Sequence, residues 1–429
     1  MQPPDHPQRI ELNDEVHARP PQALAAPLRI SYLALYSSAA QRETEWQRVC
    51  ELAQRFGASP PAAESNHYAA ELGAFRFKWE RHAEFARYKF IVAGELGPDP
   101  FATTALAAVP IDWLAGLPGH TMVATHVVFA SEESMRDDYE TIAARHFEGN
   151  VLIGAAIGDG AAVALTDLRI HADGFSRLLV LDRSLTPRQA GRMVQRLLEI
   201  DSYRMMALLA LPVARELSPV LARCERELTE ITTKLVDACE TDEPLLLDRL
   251  TRLEAEIGSC ESVNQYRFAA AAAYHELVLR RIDELREDRI LGLQGFREFT
   301  ERRLAPAMNT CRAVVLRQAS LSARVARSTQ LLSTRIDIST ERQNSALLES
   351  MNRRAGLQLR LQQTVEGLSV AAITYYVAGI IGYAAKGLKA AGIPLNTDFA
   401  TGISIPVVAI IVALGLRSMR KRVSQTRAG

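Results

Sequence analysis

The string Asn13-Asp14-Glu15-Val16-His17-Ala18-Arg19-Pro20 places two carboxylates, an imidazole and a guanidinium on one short stretch of chain. Such a mix serves proton transfer or the holding of a phosphate, because histidine titrates near neutrality and arginine forks onto oxyanions. The same string also reads as an ordered N-terminal arm whose charged groups lock onto the domain behind it. That structural reading is the expectation here, since no partner motif follows. GxSxG and HExxH are absent, and the nine histidines are scattered. Gly154–Gly160 (GAAIGDG) lacks the Gly-Lys-Ser/Thr of a P-loop and the setting of a dinucleotide fingerprint, so Gly158-Asp159-Gly160 predicts a hairpin turn. His67 and His82 flank an aromatic stretch (Phe75, Phe77, Trp79, Phe85, Tyr88, Phe90) whose alternation predicts core strands rather than a base-stacking platform. Glu225, Glu227, Glu230, Asp283, Glu284, Glu287 and Asp288 admit two readings: divalent-cation sites between subunits, or a solvated helix face balanced by arginines. No catalytic residue, no enzyme activity and no cofactor is assigned, with a divalent cation the one ligand left open.

The elements that must position these residues change character along the chain. From Leu28 to Asp182 the pattern is mixed α/β. Strands are predicted at Leu28–Tyr36, Ala74–Trp79, Tyr88–Ala93, Thr121–Phe129, Val151–Ile157, Ala161–Leu165 and Arg177–Leu181, with helices near Ala39–Phe56 and Glu132–His146. Strands and helices do not alternate strictly, which favours a mixed sheet over a doubly wound parallel one. After Thr186-Pro187 the pattern is helical. Breakers at Pro212, Pro219, Pro244, Gly292/Gly295 and Pro306 are expected to divide it. No proline occurs from Ala307 until Pro394, so one helix is expected from Ala307 through Glu366, ~90 Å if unbroken. Its apolar seam, Leu321, Val325, Leu332, Ile336, Leu347 and Met351, is interrupted by Ser328, Ser339 and Gln343 and suits a stalk packed on sister subunits and preceding helices.

Two uncharged apolar runs follow, Gly367–Ala385 and Phe399–Leu416, each near the ~20 residues that cross a bilayer as a helix. Arg353, Arg354 and Arg360 precede the first; Arg417, Arg420, Lys421, Arg422 and Arg427 follow the second; only Lys386 and Lys389 lie between. That asymmetry predicts both termini in the cytoplasm. The polar, proline-rich start shows no apolar signal region. Formal charge balance, 50 basic against 50 acidic residues among 429, argues against nucleic acid as a partner. Five cysteines without a CxxC pair exclude a disulfide framework or zinc ribbon.

The fold class expected is an α+β cytosolic domain with a mixed β-sheet, then long α-helices and a C-terminal two-helix transmembrane hairpin. Its parts are an N-terminal arm (1–27), the α/β domain (28–186), a helical hairpin region (187–306), a stalk helix (307–366), a first transmembrane helix (367–385), an outer loop (386–398), a second transmembrane helix (399–416) and a basic tail (417–429). Thr374, Tyr375, Gly379, Gly382 and Tyr383 are candidates for lining a pore or packing helices, and Asn396 and Asp398 for a ring in the outer loop.

The Asn13–Pro20 string resembles the opening signature of an uncharacterised bacterial membrane-anchored family, domain of unknown function family 3422, which implies no activity. The order of parts also resembles CorA-type divalent-cation channels. That resemblance implies an inner-membrane homo-oligomer, a pentamer, with the first span lining a pore and regulatory cation sites between subunits. The Gly-Met-Asn that ends the first span in those channels is replaced here by Gly382-Tyr383-Ala384-Ala385-Lys386, which puts magnesium selectivity in doubt. A cation channel and a membrane-tethered scaffold or sensor are therefore the two functions expected.

Overall fold

Alternating side chains set the first layer. In the computed structural model, which describes residues 3–17, 20–63, 65–390 and 396–426, β1 (Leu28–Tyr36) lies inside a nine-stranded sheet. The other strands are β2 (His67–Leu72), β3 (Phe75–Arg81), β4 (Phe85–Ala93), β5 (His120–Ser131), β6 (Ile153–Ile157), β7 (Ala162–Thr166), β8 (Ser176–Asp182) and β9 (Asp288–Arg289). Their order is β2-β3-β4-β1-β5-β8-β7-β6-β9. β5 and β8 run parallel and the other named pairs antiparallel, so the sheet is mixed, as the sequence predicts.

One face of the sheet carries two apolar cores. Leu33 and Leu35 of β1 join Phe75, Phe77, Trp79, Tyr88 and Phe90 there. Helices α2 (Arg42–Arg55) and α3 (Ile111–Ala115) add Val49, Leu52 and Trp113, whose ring meets Phe77 edge-on at 5.9 Å. α4 (Tyr139–His146) brings Ile142 to a second core with Val128, Val163 and Leu179. The turn between β6 and β7 has Gly158, Asp159 and Gly160 all at positive φ, the left-handed region that glycine enters freely. The hairpin expected there forms.

The chain departs from expectation in four places. α1 (Arg9–His17) occupies part of the expected arm, and β2 and β9 were not anticipated. A break at Leu209, three residues before Pro212, separates α5 (Pro187–Leu208) from α6 (Ala210–Asp237), as expected of that proline, whereas Pro219 lies inside α6 without dividing it. A buried row at Leu217, Leu221, Cys224, Leu228 and Ile231 holds α6 together despite the lost amide. After α7 (Glu243–Leu285), the long helix α8 (Phe296–Ala390) starts ahead of Pro306 rather than after it. Glu287 caps its start, accepting from the amides of Phe296 at 3.0 Å and Arg297 at 2.9 Å. α9 (Thr397–Thr426) closes the chain.

Two compact units result: Met1–Asp237 with Leu245–Thr329, and Ala238–Pro244 with Gln330–Gly429. In the first, α5 covers the second face of the sheet, starting from a capping box between Thr186 and Gln189. The opening of α8 packs on α6 and α7, where Arg317 clamps Glu225 at 2.5 and 2.8 Å and Leu321 and Val325 are buried. These seam positions are thus already used inside the chain. In the second unit, residues 341–365 of α8 are exposed without interruption, Leu347 and Met351 included.

Among the described residues, three helical stretches are long and apolar enough to cross a membrane: Pro187–Asp237, Phe296–Ala390 and Thr397–Gly415. The first has an internal use for its apolarity. α5 buries Met193, Leu197, Ile200 and Tyr203, and its Ser202 Oγ lies 2.7 Å from the Tyr32 hydroxyl of β1.

Candidate functional site

Strand register assembles the most unusual group of side chains in the molecule. Tyr32 pairs with Lys89, Lys78 with Lys89, and Glu80 with Arg87, so β1, β4 and β3 send these residues to the face that α5 covers. Lys78 Nζ is 2.9 Å from Glu80, and Arg87 is 3.1 Å from both Glu80 and Glu199 of α5. Arg281 of α7 holds the second Glu199 oxygen at 2.5 Å and Glu284 at 3.0 Å. Gln195 donates to Glu199 at 2.8 Å. The group is a buried ion network in which helices α5 and α7 share carboxylates with the sheet.

Charges this deep are maintained only by their partners. Burial opposes ionisation of Glu80, but Arg87, then Lys78 and Lys89, outweigh it and hold its carboxyl down to about 2. Burial likewise opposes the charge on Glu199, and Arg87 and Arg281 keep it below the ordinary range. Lys89 is different. Burial, followed by Lys78, pushes its ammonium down to about 7 against the pull of Glu80.

The site reaches the end of the Asn13–Pro20 string. Lys78 Nζ donates to the Pro20 carbonyl at 3.0 Å, Arg76 to the Ala23 carbonyl at 3.0 Å, and the Leu24 amide to the Pro187 carbonyl at 2.9 Å. The Gln22 carbonyl occupies the space that a Cβ on Gly191 of α5 would need. Residues 20–24 are thus clamped between β3 and α5. Asn13, Asp14, Glu15 and His17 belong to α1, and Arg19 lies outside the described residues.

Other constellations carry less chemistry. Ser31 Oγ lies 2.9 Å from His126 Nδ1, and His126 Nε2 lies 3.8 Å from Asp173, the order of a hydrolase triad. Ser31, however, is 0% exposed, and His126 is stacked on Phe175 at 4.0 Å. Burial pushes His126 down to about 4, with Asp173 opposing and Arg177 assisting. A substrate has no path to this serine. His171 is held between Asp167 at 3.0 Å and Glu148 at 2.9 Å, and no group of three potential metal ligands exists among the described residues. The acidic helix residues are engaged internally: Glu225 by Arg317, Glu230 by Lys234 and Arg249, Asp283 by Arg297, and Glu284 by Arg196.

The span candidates fall on two faces. Thr374 is buried and donates to the Val370 carbonyl at 2.7 Å, while a Cβ at Gly382 would lie 3.3 Å from Thr401 Oγ1 of α9. Tyr375 and Tyr383 are each 77% exposed, and nothing lies within 4 Å of a Cβ at Gly379. Asn396 Oδ1 accepts from the Phe399 amide at 3.4 Å and Asp398 stands in the first turn of α9, roles that begin a helix.

Sequence reasoning missed the buried ion network. Lys78, Glu80, Arg87 and Lys89 alternate with aromatics on β3 and β4, which on its own marks a solvent-facing side; only α5 turns it inward.

The molecule is therefore an α+β protein in which a mixed sheet is followed by long helices with apolar C-terminal stretches. The chain belongs to the family described as "Protein of unknown function (DUF3422)", whose profile matches residues 4–423, nearly its whole length. No curated protein matches it.

Proposed function

We propose that this chain is an integral protein of the bacterial inner membrane, a homo-oligomer whose C-terminal helical hairpin tethers a cytosolic α+β scaffold or sensor domain. The observation carrying this reading is the inverted polarity of the hairpin. Thr374, Ala378 and Ala385 of α8 and Ser404 and Val408 of α9 are buried, whereas Leu368, Ile380, Phe399, Ile410 and Ile411 are exposed. A hairpin in water places its large apolar residues inward; one in lipid packs on small residues and turns the large ones outward. Tyr375 and Tyr376, near the middle of the span at 77% and 70% exposed, favour self-association, because a phenol facing hydrocarbon needs an acceptor.

The cation-channel reading rests on α8 continuing unbroken into the span, the arrangement that resembles CorA-type channels. Reporter fusions at Gly429 and within Leu388–Asn396 test the topology; a cytoplasmic signal at the first and a periplasmic one at the second are expected. A periplasmic C-terminus would overturn the topology. Ion flux through reconstituted protein decides between tether and channel, and its absence is expected.

A further inference from the structure

Two ammonium groups face each other on neighbouring strands. Lys78 of β3 and Lys89 of β4 are paired in register, and beneath α5 they are only 5% and 8% exposed. Like charges placed directly opposite repel, and burial removes the water that would screen them. Lys78 has compensation, from Glu80 at 2.9 Å and the Pro20 carbonyl at 3.0 Å. Among the described residues Lys89 makes neither an ion pair nor a hydrogen bond. The neighbouring carboxylates are already committed: Glu80 is shared by Lys78 and Arg87, and Glu199 by Arg87 and Arg281. The charged groups acting on Lys89 are Arg76, Lys78 and Glu80 from β3 and Arg87 from β4, with Tyr32 of β1 opposite it; beyond Arg87 lie Glu199 and Tyr203 of α5 and Arg281 of α7, the last shared with Glu284. Cations outnumber carboxylates.

Beside Lys89 is a cavity of about 10 Å³, bounded by Tyr32, Lys78, Glu80, Arg87, Gln195 and Leu198, so that three cations and one carboxylate line it with Lys89 counted. That size suits one water or one monatomic ion and excludes a phosphate or a free carboxylic acid. We propose that this cavity is a halide site, in which a chloride ion between Lys78, Arg87 and Lys89 supplies the missing negative charge. A buried cation left without a partner is costly, and a permanent anion removes that cost without a proton being lost. Binding requires Lys89 protonated. With its ammonium pushed down to about 7 in the empty site, chloride affinity falls as pH rises above neutrality. The ion would join β3, β4 and α5, and so link halide concentration and pH to the docking of residues 20–24.

The test uses the full chain in detergent, its unfolding followed by tryptophan fluorescence at constant ionic strength while gluconate is replaced by chloride. At pH 6 the melting temperature of the wild type is expected to rise by about 3 °C per tenfold increase in chloride above saturation. The rise should shrink at pH 9 and disappear in Lys89→Met and in the polar Lys89→Gln. Crystals grown in bromide should show one anomalous peak between Lys78 and Lys89. Equal melting in chloride and gluconate, a response retained by both Lys89 variants, or a cavity without bromide would each overturn the proposal.

Discussion

The backbone carbonyl of Pro20 accepts a 3.0 Å hydrogen bond from Lys78 Nζ, which ties the end of the Asn13–Pro20 string to the buried charges under α5. The next residues are held as tightly: Gly191 leaves just enough room for the Gln22 carbonyl. Gly191→Ala is expected to push this segment off α5, at a cost of about 1–3 kcal/mol for overpacking. Thermal denaturation and limited proteolysis at residues 1–27 check it; unchanged melting and cleavage would mean that the clamp contributes nothing.

The string itself is expected to act structurally. His17→Ala should then change melting temperature and activity in cells together, with no loss of activity beyond what the change in stability explains. A variant of wild-type stability that abolishes cellular function would make His17 an active-site residue instead.

Acid should unfold the first unit in two stages. His126 is held neutral down to about 4, whereas the unfolded chain takes up a proton near 6.5, so its contribution to stability is lost as pH falls from about 6.5 to 4. Glu80 ionises at about 2 in the fold and near 4.3 unfolded; its contribution is complete above about 4.3 and is lost as pH falls toward 2. Denaturant titrations across pH should therefore show His126→Gln flattening the upper limb and Glu80→Gln the lower. A single limb unaffected by either change would contradict the assignment.

How much of this was legible in the sequence depends on how local each signal is. β1 forms over Leu28–Tyr36, the predicted bounds, because nine apolar and alternating residues need no partner to be read as a strand. β2 escaped notice because only Leu72 of its six residues is buried, the weak pattern of an edge strand. Pro306 read as a stop, yet α8 continues through it, since packing on α6 and α7 outweighs one missing amide hydrogen bond. Lys78 and Lys89 were invisible as a site because strand alternation says which residues share a face and not which face a distant helix will cover. The same limit applies in the apolar C-terminal helices: composition singled out Thr374, Tyr375, Gly379, Gly382 and Tyr383, but helix rotation divides them.

That division yields the sharpest prediction for the hairpin. Gly382 faces α9, with Thr401 Oγ1 and Cγ2 3.3 and 3.5 Å from where its Cβ would be, while Gly379 has nothing within 4 Å. Tyr375, Gly379 and Tyr383 recur every four residues and form one row along the helix. Gly382→Leu is therefore expected to pry α8 from α9 and destabilise each chain alone, seen as a lower melting temperature at unchanged oligomer size. Gly379→Leu should leave the melting of the single chain unchanged and instead weaken the oligomer, because the side chain enters the face proposed for a second copy. Cysteine at Gly379 or Tyr383 should then crosslink between chains, and cysteine at Val412 should not. Dominant crosslinking at Val412, or a monomer in native mass spectrometry that Gly379→Leu does not alter, would leave the hairpin as an anchor for a single chain.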